Sequence, residues 1–225
     1  MENWKLSPSD LTFLWDECPR CFYLKVRHNF RRPAMPFPTI FSRIDLLMKD
    51  IYLGHSTKKI SPNLPEGKIL MTGRWVTSEP IPAADGLNAC YIQGIFDTVV
   101  QFEDGSYGVV DFKTSEAKEE HIGFYGRQLQ AYAFALAHPA PGKLQLRPVS
   151  KLGLLYFEPQ HLDEVPPDGL SLGGPTRWVE IPQDDAAFLD FLRRVTDLLS
   201  QPQPPAANPE CAFCAYREEA RNTAF

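Results

Sequence analysis

The sequence has little that would take it out of water. None of its 225 residues belongs to a run approaching the roughly 18 consecutive apolar residues of a membrane-spanning helix. The opening MENWKLSPSD lacks the apolar core of a secretory signal, so a cytoplasmic protein without a membrane partner is expected. Cysteine is scarce, at five residues, and a disulfide framework is not expected without secretion. No internal repeat is visible. Bases are outnumbered: 23 Lys and Arg face 28 Asp and Glu, a net charge of -5. Taken whole, that balance argues against a nucleic-acid partner. What remains is an ordinary globular composition, 44% hydrophobic and 23% charged, at a length suited to one domain. The 21 prolines predict many irregular loops.

The charge is unevenly spread. Residues 158 to 197 hold nine acids and only three bases, so the rest of the chain is close to neutral. Between Cys18 and Ile44 there is no acid at all. That stretch carries Arg20, Lys25, Arg27, His28, Arg31, Arg32 and Arg43, interleaved with Phe22, Tyr23, Phe30, Phe37 and Phe41. Bases track phosphates and rings stack on bases of a single strand, so Arg20, Tyr23, Arg27, Arg31 and Arg32 are candidate DNA contacts. The competing reading is a solvated basic face with its aromatics in the core.

Four of the five cysteines form two CxxC pairs, Cys18 with Cys21 and Cys211 with Cys214. Four thiolates are the number that a tetrahedral zinc or a 4Fe–4S cluster wants. The pairs bracket almost the whole chain, whereas ordinary zinc modules keep theirs within a few tens of residues. The site would therefore clasp the two termini, with residues 1–37 and 201–225 as the cysteine region. Cys90 reads as a small buried hydrophobe.

Ser7 to Asp10 predicts a helix start, capped by Ser7 or Ser9 and running to about Glu17. Ile40 to Leu53 carries a helical apolar stripe. Strands are expected at Lys68–Val76, Tyr91–Phe102, Ser106–Thr114, Leu152–Phe157 and Arg177–Ile181. Asp104-Gly105 is a hairpin signal between the second and third of these. Helices are expected at Lys118–His138 and Asp184–Leu199, with a proline-rich loop from Gln201 to Pro209. The order defines an α/β fold.

The hairpin gathers ionisable groups among apolar ones. Asp97 sits in GIFD on its first strand; Asp111 and Lys113 sit in DFKT on its second, two apart and so on one face. With Asp104-Gly105 as the turn, Asp97 lies opposite Phe112, beside both. Two such carboxylates can hold Mg²⁺ or Mn²⁺. A neighbouring Lys can orient or deprotonate a water and offset charge at phosphorus. The alternative is a set of ion pairs at a solvated strand end. On the following helix Gln128 and Tyr132 share a face, four residues apart.

GxxD, DxK on the next strand and QxxxY on the helix after it resemble the PD-(D/E)XK nucleases. With the bracketing cysteines, the chain resembles RecB-like nucleases with a terminal cysteine cluster, of the CRISPR adaptation, AddB and exonuclease V types. LSPSDLTFLWDECPRCFYLKV resembles their N-terminal helix and first cluster cysteine. The resemblance spans residues 1–225 as a single domain. It implies a restriction-endonuclease-like central mixed sheet flanked by helices. It implies Asp97, Asp111 and the Phe112 carbonyl as metal ligands, Lys113 as the catalytic lysine, and Gln128 and Tyr132 as accessory residues. The implied reaction is Mg²⁺- or Mn²⁺-dependent DNA hydrolysis, often exonucleolytic on single-stranded ends, in repair or in CRISPR spacer acquisition with integration proteins as partners. Two positions depart from the pattern. Asp45, in PTIFSRIDLLMKDIY, stands where a histidine ligand is usual; an Asp can also ligate Mg²⁺ or Mn²⁺, and His55 is the other candidate. The cysteines are divided two and two, not one and three. A 4Fe–4S cluster is the first expectation and zinc its rival. A DNA-end-binding subunit without cleavage, and a metal-clasped structural protein, are the alternative functions.

Overall fold

A computed structural model of the chain describes residues 2–34, 36 and 38–223, so Phe37 of the basic stretch lies outside the described residues. A mixed seven-stranded sheet runs in the order β1-β4-β5-β6-β9, with β2 and β3 also on β4. Its strands are β1 (Asn3–Leu6), β2 (Gly67–Thr77), β3 (Ile81–Pro82), β4 (Ala89–Phe102), β5 (Tyr107–Thr114), β6 (Val149–Phe157) and β9 (Thr176–Ile181). β1 with β4 and β5 with β6 are parallel; the other pairs are antiparallel. A separate hairpin is formed by β7 (His161–Val165) and β8 (Gly169–Gly173).

The central strands read as nearly continuous apolar runs because both of their faces are covered. On one face Val99, Val109, Leu152 and Leu154 pack against α4 (Glu119–Ala137) and α5 (Asp185–Leu199). On the other, Val100, Val110, Phe112 and Leu155 pack against Ile44, Met48 and Tyr52 of α3 (Thr39–Tyr52). Those three residues are spaced four apart, one stripe of a helix, so the adjacent stripe holding Asp45 and Lys49 is left to the sheet's end. Asp184 caps α5, accepting the Ala187 N–H at 2.8 Å. Cys90 lies fully buried in the first core, where burial pushes its thiol up to about 12.

Three sequence expectations need correction. The expected helix from Ser7 to Glu17 is a 3₁₀ turn (Pro8–Leu11) and a separate helix α1 (Phe13–Glu17), broken at Thr12. Ser7 makes no side-chain cap there. Second, the acid-free stretch holds a further helix, α2 (Pro19–His28), and α6 (Ala212–Asn222) begins within the last cysteine pair. Third, the hairpin turn is longer than Asp104-Gly105. Phe102 N–H bonds the Ser106 carbonyl at 2.9 Å, closing a loop of Glu103, Asp104 and Gly105, with Gly105 at φ 83°. The longer loop shifts the register by one, pairing Thr98 with Val110, so Asp97 falls in line with Asp111, not Phe112.

Gly153 on β6 lies under the ring of Trp178 on the neighbouring strand; a Cβ at that position would overlap the indole. Gly153→Ala is expected to displace Trp178 and to cost about 1–3 kcal/mol, read from the urea midpoint at unchanged m-value.

Candidate active site and four-cysteine centre

β4 is long enough to serve two neighbours along one edge. β1 pairs with its residues 89–92 and β5 with its residues 98–101. Between them the edge is open, and β4 and β5 part beyond the Thr98–Val110 pair. The wedge is closed by a side chain: Asp97 Oδ2 accepts the Phe112 N–H at 2.9 Å. In an extended strand one residue's N–H and C=O point the same way, so the Phe112 carbonyl also faces the wedge. Gly94, first residue of GIFD, sits where a Cβ would press on Pro8 and the Tyr132 ring, which explains a glycine there.

The fork opens into a cleft of about 540 Å³ that contains Asp45, Asp97, Asp111, Lys113, Gln128 and Tyr132. The structure thus brings together every residue named from the three motifs, and adds Asp45 from α3. Asp111 is buried. Gln128 Nε2 donates to its Oδ1 at 3.2 Å. Its Oδ2 is fully buried without a hydrogen bond, and the Lys113 ammonium lies against it as an ion pair. Burial, opposed by Lys113 and reinforced by the like charge of Asp97, lifts the Asp111 carboxyl to about 7. Burial pulls the Lys113 ammonium down, but the Asp111 carboxylate outweighs it and the net shift is upward. Tyr132 donates to the Ile95 carbonyl at 2.7 Å, tying α4 to the open stretch of β4.

Two further residues, not named from the sequence, take part. Lys49 Nζ lies 2.6 Å from Asp45 Oδ2 and 2.8 Å from Asp97 Oδ1, an ammonium bridging two of the three acids. Burial opposes its charge, yet the two carboxylates raise it above the ordinary lysine range. Burial likewise lifts Asp45, with Lys49 opposing and Asp97 adding to the rise. Tyr125 places its ring 4.0 Å from Lys113 Nζ, a cation–π contact. Lys49 follows Asp45 by one helical turn, a spacing that could have pointed to it; Tyr125 precedes Gln128 by three, but in an ordinary helix that spacing is commonplace.

The site fits a hard divalent cation. Three acids and two ammonium groups leave an excess negative charge, and the carboxylate oxygens of Asp45, Asp97 and Asp111 line one cleft.

The residues proposed for DNA contact fall elsewhere, around the chain ends. Tyr23 is buried and donates to the Gln201 carbonyl at 2.7 Å. Arg27 donates to the Leu199 and Gln201 carbonyls at 3.0 and 2.9 Å. Arg20 donates to the Pro205 carbonyl at 2.7 Å. Arg32 pairs with Glu17 and lies 4.6 Å from the Phe213 ring centre. Arg31 is exposed, its Nε on Asn29.

All four paired cysteines are buried, and their sulfurs lie within 4.8 Å of one another. Cys18 caps α2 with Cys21 in its first turn, and Cys211 stands at the N-cap position of α6 with Cys214 in its first turn. Two like helix starts therefore face each other, which is why one CxxC spacing serves both.

Fold and site define a mixed α/β protein with an acid-and-lysine cleft at the fork of its sheet. The chain belongs to the PD-(D/E)XK nuclease superfamily, whose family model matches residues 68–218. The matched range includes GIFD, DFKT and the Gln128–Tyr132 helix, together with the second cysteine pair. Among solved structures, the one titled "Crystal structure of SSO0001" is similar in fold, with a TM-score of 0.53 and 18% identity over 95% of this chain and 84% of that one. A comparison with curated proteins returned no match. Among the described residues, no helix is long and apolar enough to cross a membrane.

Proposed function

We propose that the protein is a Mg²⁺- or Mn²⁺-dependent deoxyribonuclease acting at single-stranded DNA ends. The observation that carries this reading is the fork between β4 and β5, which presents Asp97, Asp111 and Lys113 to one cleft. Asp45, Asp97, Asp111 and the Phe112 carbonyl would hold the cation. When bound there, a divalent ion supplies Lewis-acid polarisation of a phosphate and acidifies a water. The chain's own groups do the rest. Gln128 orients the Asp111 carboxylate. Tyr132 keeps the open edge of β4 in place through Ile95. Lys113, held between Asp111 and the Tyr125 ring, is aimed to orient the water and to offset charge developing on the phosphate.

The resemblance to RecB-like nucleases supports DNA ends as substrate and a role in repair or in CRISPR spacer acquisition beside integration proteins. In this reading the whole chain works as one nuclease domain, with the exposed Arg31 contributing to the path of the strand. A reducing cytoplasm would keep the four thiols available for metal. End-labelled single- and double-stranded DNA incubated with Mn²⁺ tests the proposal. Shortening of single-stranded ends, blocked by chelation, is the expected result. Intact DNA under all metal conditions would exclude catalysis and leave an end-binding role.

The same reading gives Lys49 a measurable part. Its ammonium occupies the position between Asp45 and Asp97 that a cation would take. Lys49→Met should therefore tighten Mn²⁺ binding about tenfold or more, a gain of about 1.4 kcal/mol. Titration calorimetry of the metal-free proteins measures it; equal or weaker binding would show that Lys49 does not compete.

A further inference from the structure

We propose that the four cysteines hold one zinc ion and no 4Fe–4S cluster. The sulfur spacing is the deciding observation. Tetrahedral zinc with Zn–S bonds of about 2.3 Å puts its ligand sulfurs about 3.8 Å apart. Here Cys18 and Cys214 are 3.6 Å apart, Cys21 and Cys211 3.7 Å, and Cys21 and Cys214 3.9 Å. Every remaining separation is within 4.8 Å. A 4Fe–4S cube binds each thiolate to a different iron, and its ligand sulfurs stand roughly 6 Å apart. The family resemblance implies the cube; these four residues do not make room for it.

The packing around the sulfurs keeps them from spreading. Each pair sits on the first turn of a helix, where the backbone sets its position. The two helix starts are joined by bonds that do not involve the cysteines. Asn208 Nδ2 donates to the Glu17 carbonyl at 2.7 Å, Arg20 reaches Pro205, and Arg32 lies over Phe213. To admit a cube, the sulfurs would have to move about 2 Å further apart, away from the positions that these bonds support. The surroundings also suit the charge. A zinc ion with four thiolates carries a net charge of about −2. Two guanidinium groups meet it: Arg32 Nη2 lies 3.6 Å from Cys211 Sγ and Arg217 Nη1 3.7 Å from Cys21 Sγ. These are the outer-shell donors that orient and neutralise a thiolate site. Arg32 and Arg217 thus belong to the metal site.

A zinc site with four protein ligands has no open coordination position and no redox chemistry, so it serves as a fastener that oxygen does not bleach. The test needs no nuclease assay and is independent of the catalytic reading. The full chain is produced in cells supplied with both iron and zinc, purified without oxygen, and analysed for zinc, iron and acid-labile sulfide. One zinc per chain, with negligible iron and sulfide and no broad visible absorption, is expected. Four irons and four sulfides per chain with a brown chromophore would overturn the proposal, as would protein holding neither metal. Replacement by Co²⁺ tests the geometry directly: intense thiolate-to-cobalt bands with tetrahedral visible bands support it, and a weak octahedral spectrum refutes it. Cys214→Ser should shift those bands and reduce zinc below one per chain. If that variant does not fold, the wild-type cobalt spectrum still decides.

Discussion

Lys113→Ala is expected to lower DNA cleavage by about 10²–10⁴-fold, the range for losing a group that handles protons or charge in the transition state. The loss should appear in kcat, because in the proposed reaction Lys113 acts on the water and phosphate, while binding of the strand rests on other residues. The structure adds a second effect. Lys113 is the counter-charge of Asp111, a buried carboxylate with an oxygen that has no hydrogen bond. Removing it leaves that charge unpaired and should destabilise the metal-free fold by about 3 kcal/mol well above pH 7, where Asp111 is ionised. Asp111→Asn/Lys113→Ala should recover most of the stability and none of the activity, because the buried charge leaves with its partner. Urea unfolding and single-turnover digestion read the two effects separately. Cleavage at the wild-type rate would reject Lys113 as a catalytic residue. The pH dependence has a definite sign. Asp111 in the metal-free fold titrates near 7, above the ordinary carboxylate range. The folded state therefore holds a proton that the unfolded chain has lost, and metal-free stability should fall as pH rises from about 4 to about 7.

The largest effect on stability is expected from the cysteines. Cys18→Ser should lower the melting temperature by about 10–20 °C, equivalent to about 5 kcal/mol for a domain of this size. The bond in question joins sulfurs 190 or more positions apart in the chain, from Cys18 and Cys21 to Cys211 and Cys214. Tying residues so distant removes much of the freedom of the unfolded state. The damage should be regional. The strands β4, β5 and β6 make no use of the four paired cysteines and are expected to stay paired, while α6 and the proline-rich segment before it come loose. Limited proteolysis should then cut between residues 201 and 209 in the variant before the sheet unfolds. A variant with wild-type melting, full metal content and no new cleavage would refute the clasp.

Much of the site was legible in the order of residues because its logic is local. Asp111 and Lys113 are two apart on a strand, and Gln128 and Tyr132 four apart on a helix; each pair shares a face for reasons of backbone period alone. The two CxxC pairs announce four thiolates for one site, and the position of the pairs announces that the termini meet. Asp45 could be named through the family's pattern, although the local sequence says only that it lies on an amphipathic helix.

The remaining features depend on closure and packing. One additional loop residue at Glu103 moved the hairpin register by one, which set Asp97 beside Asp111 and let its carboxylate hold the Phe112 N–H at the fork. Nothing in the chain's order says that Lys49 bridges Asp45 and Asp97, because that contact needs α3 laid against the end of the sheet. The stretch free of acids suggested a path for DNA, and four of its named residues also contact the C-terminal segment. By itself, then, the sequence determined the α/β class, the motif residues and the pairing of the two cysteine clusters, since periodicity and composition suffice for those. The tertiary structure alone decided the shape of the fork, the lysine between the acids, the use of the arginines and the distance between sulfurs. Each of those depends on which elements come within a few ångströms, and that is settled by packing across the whole chain.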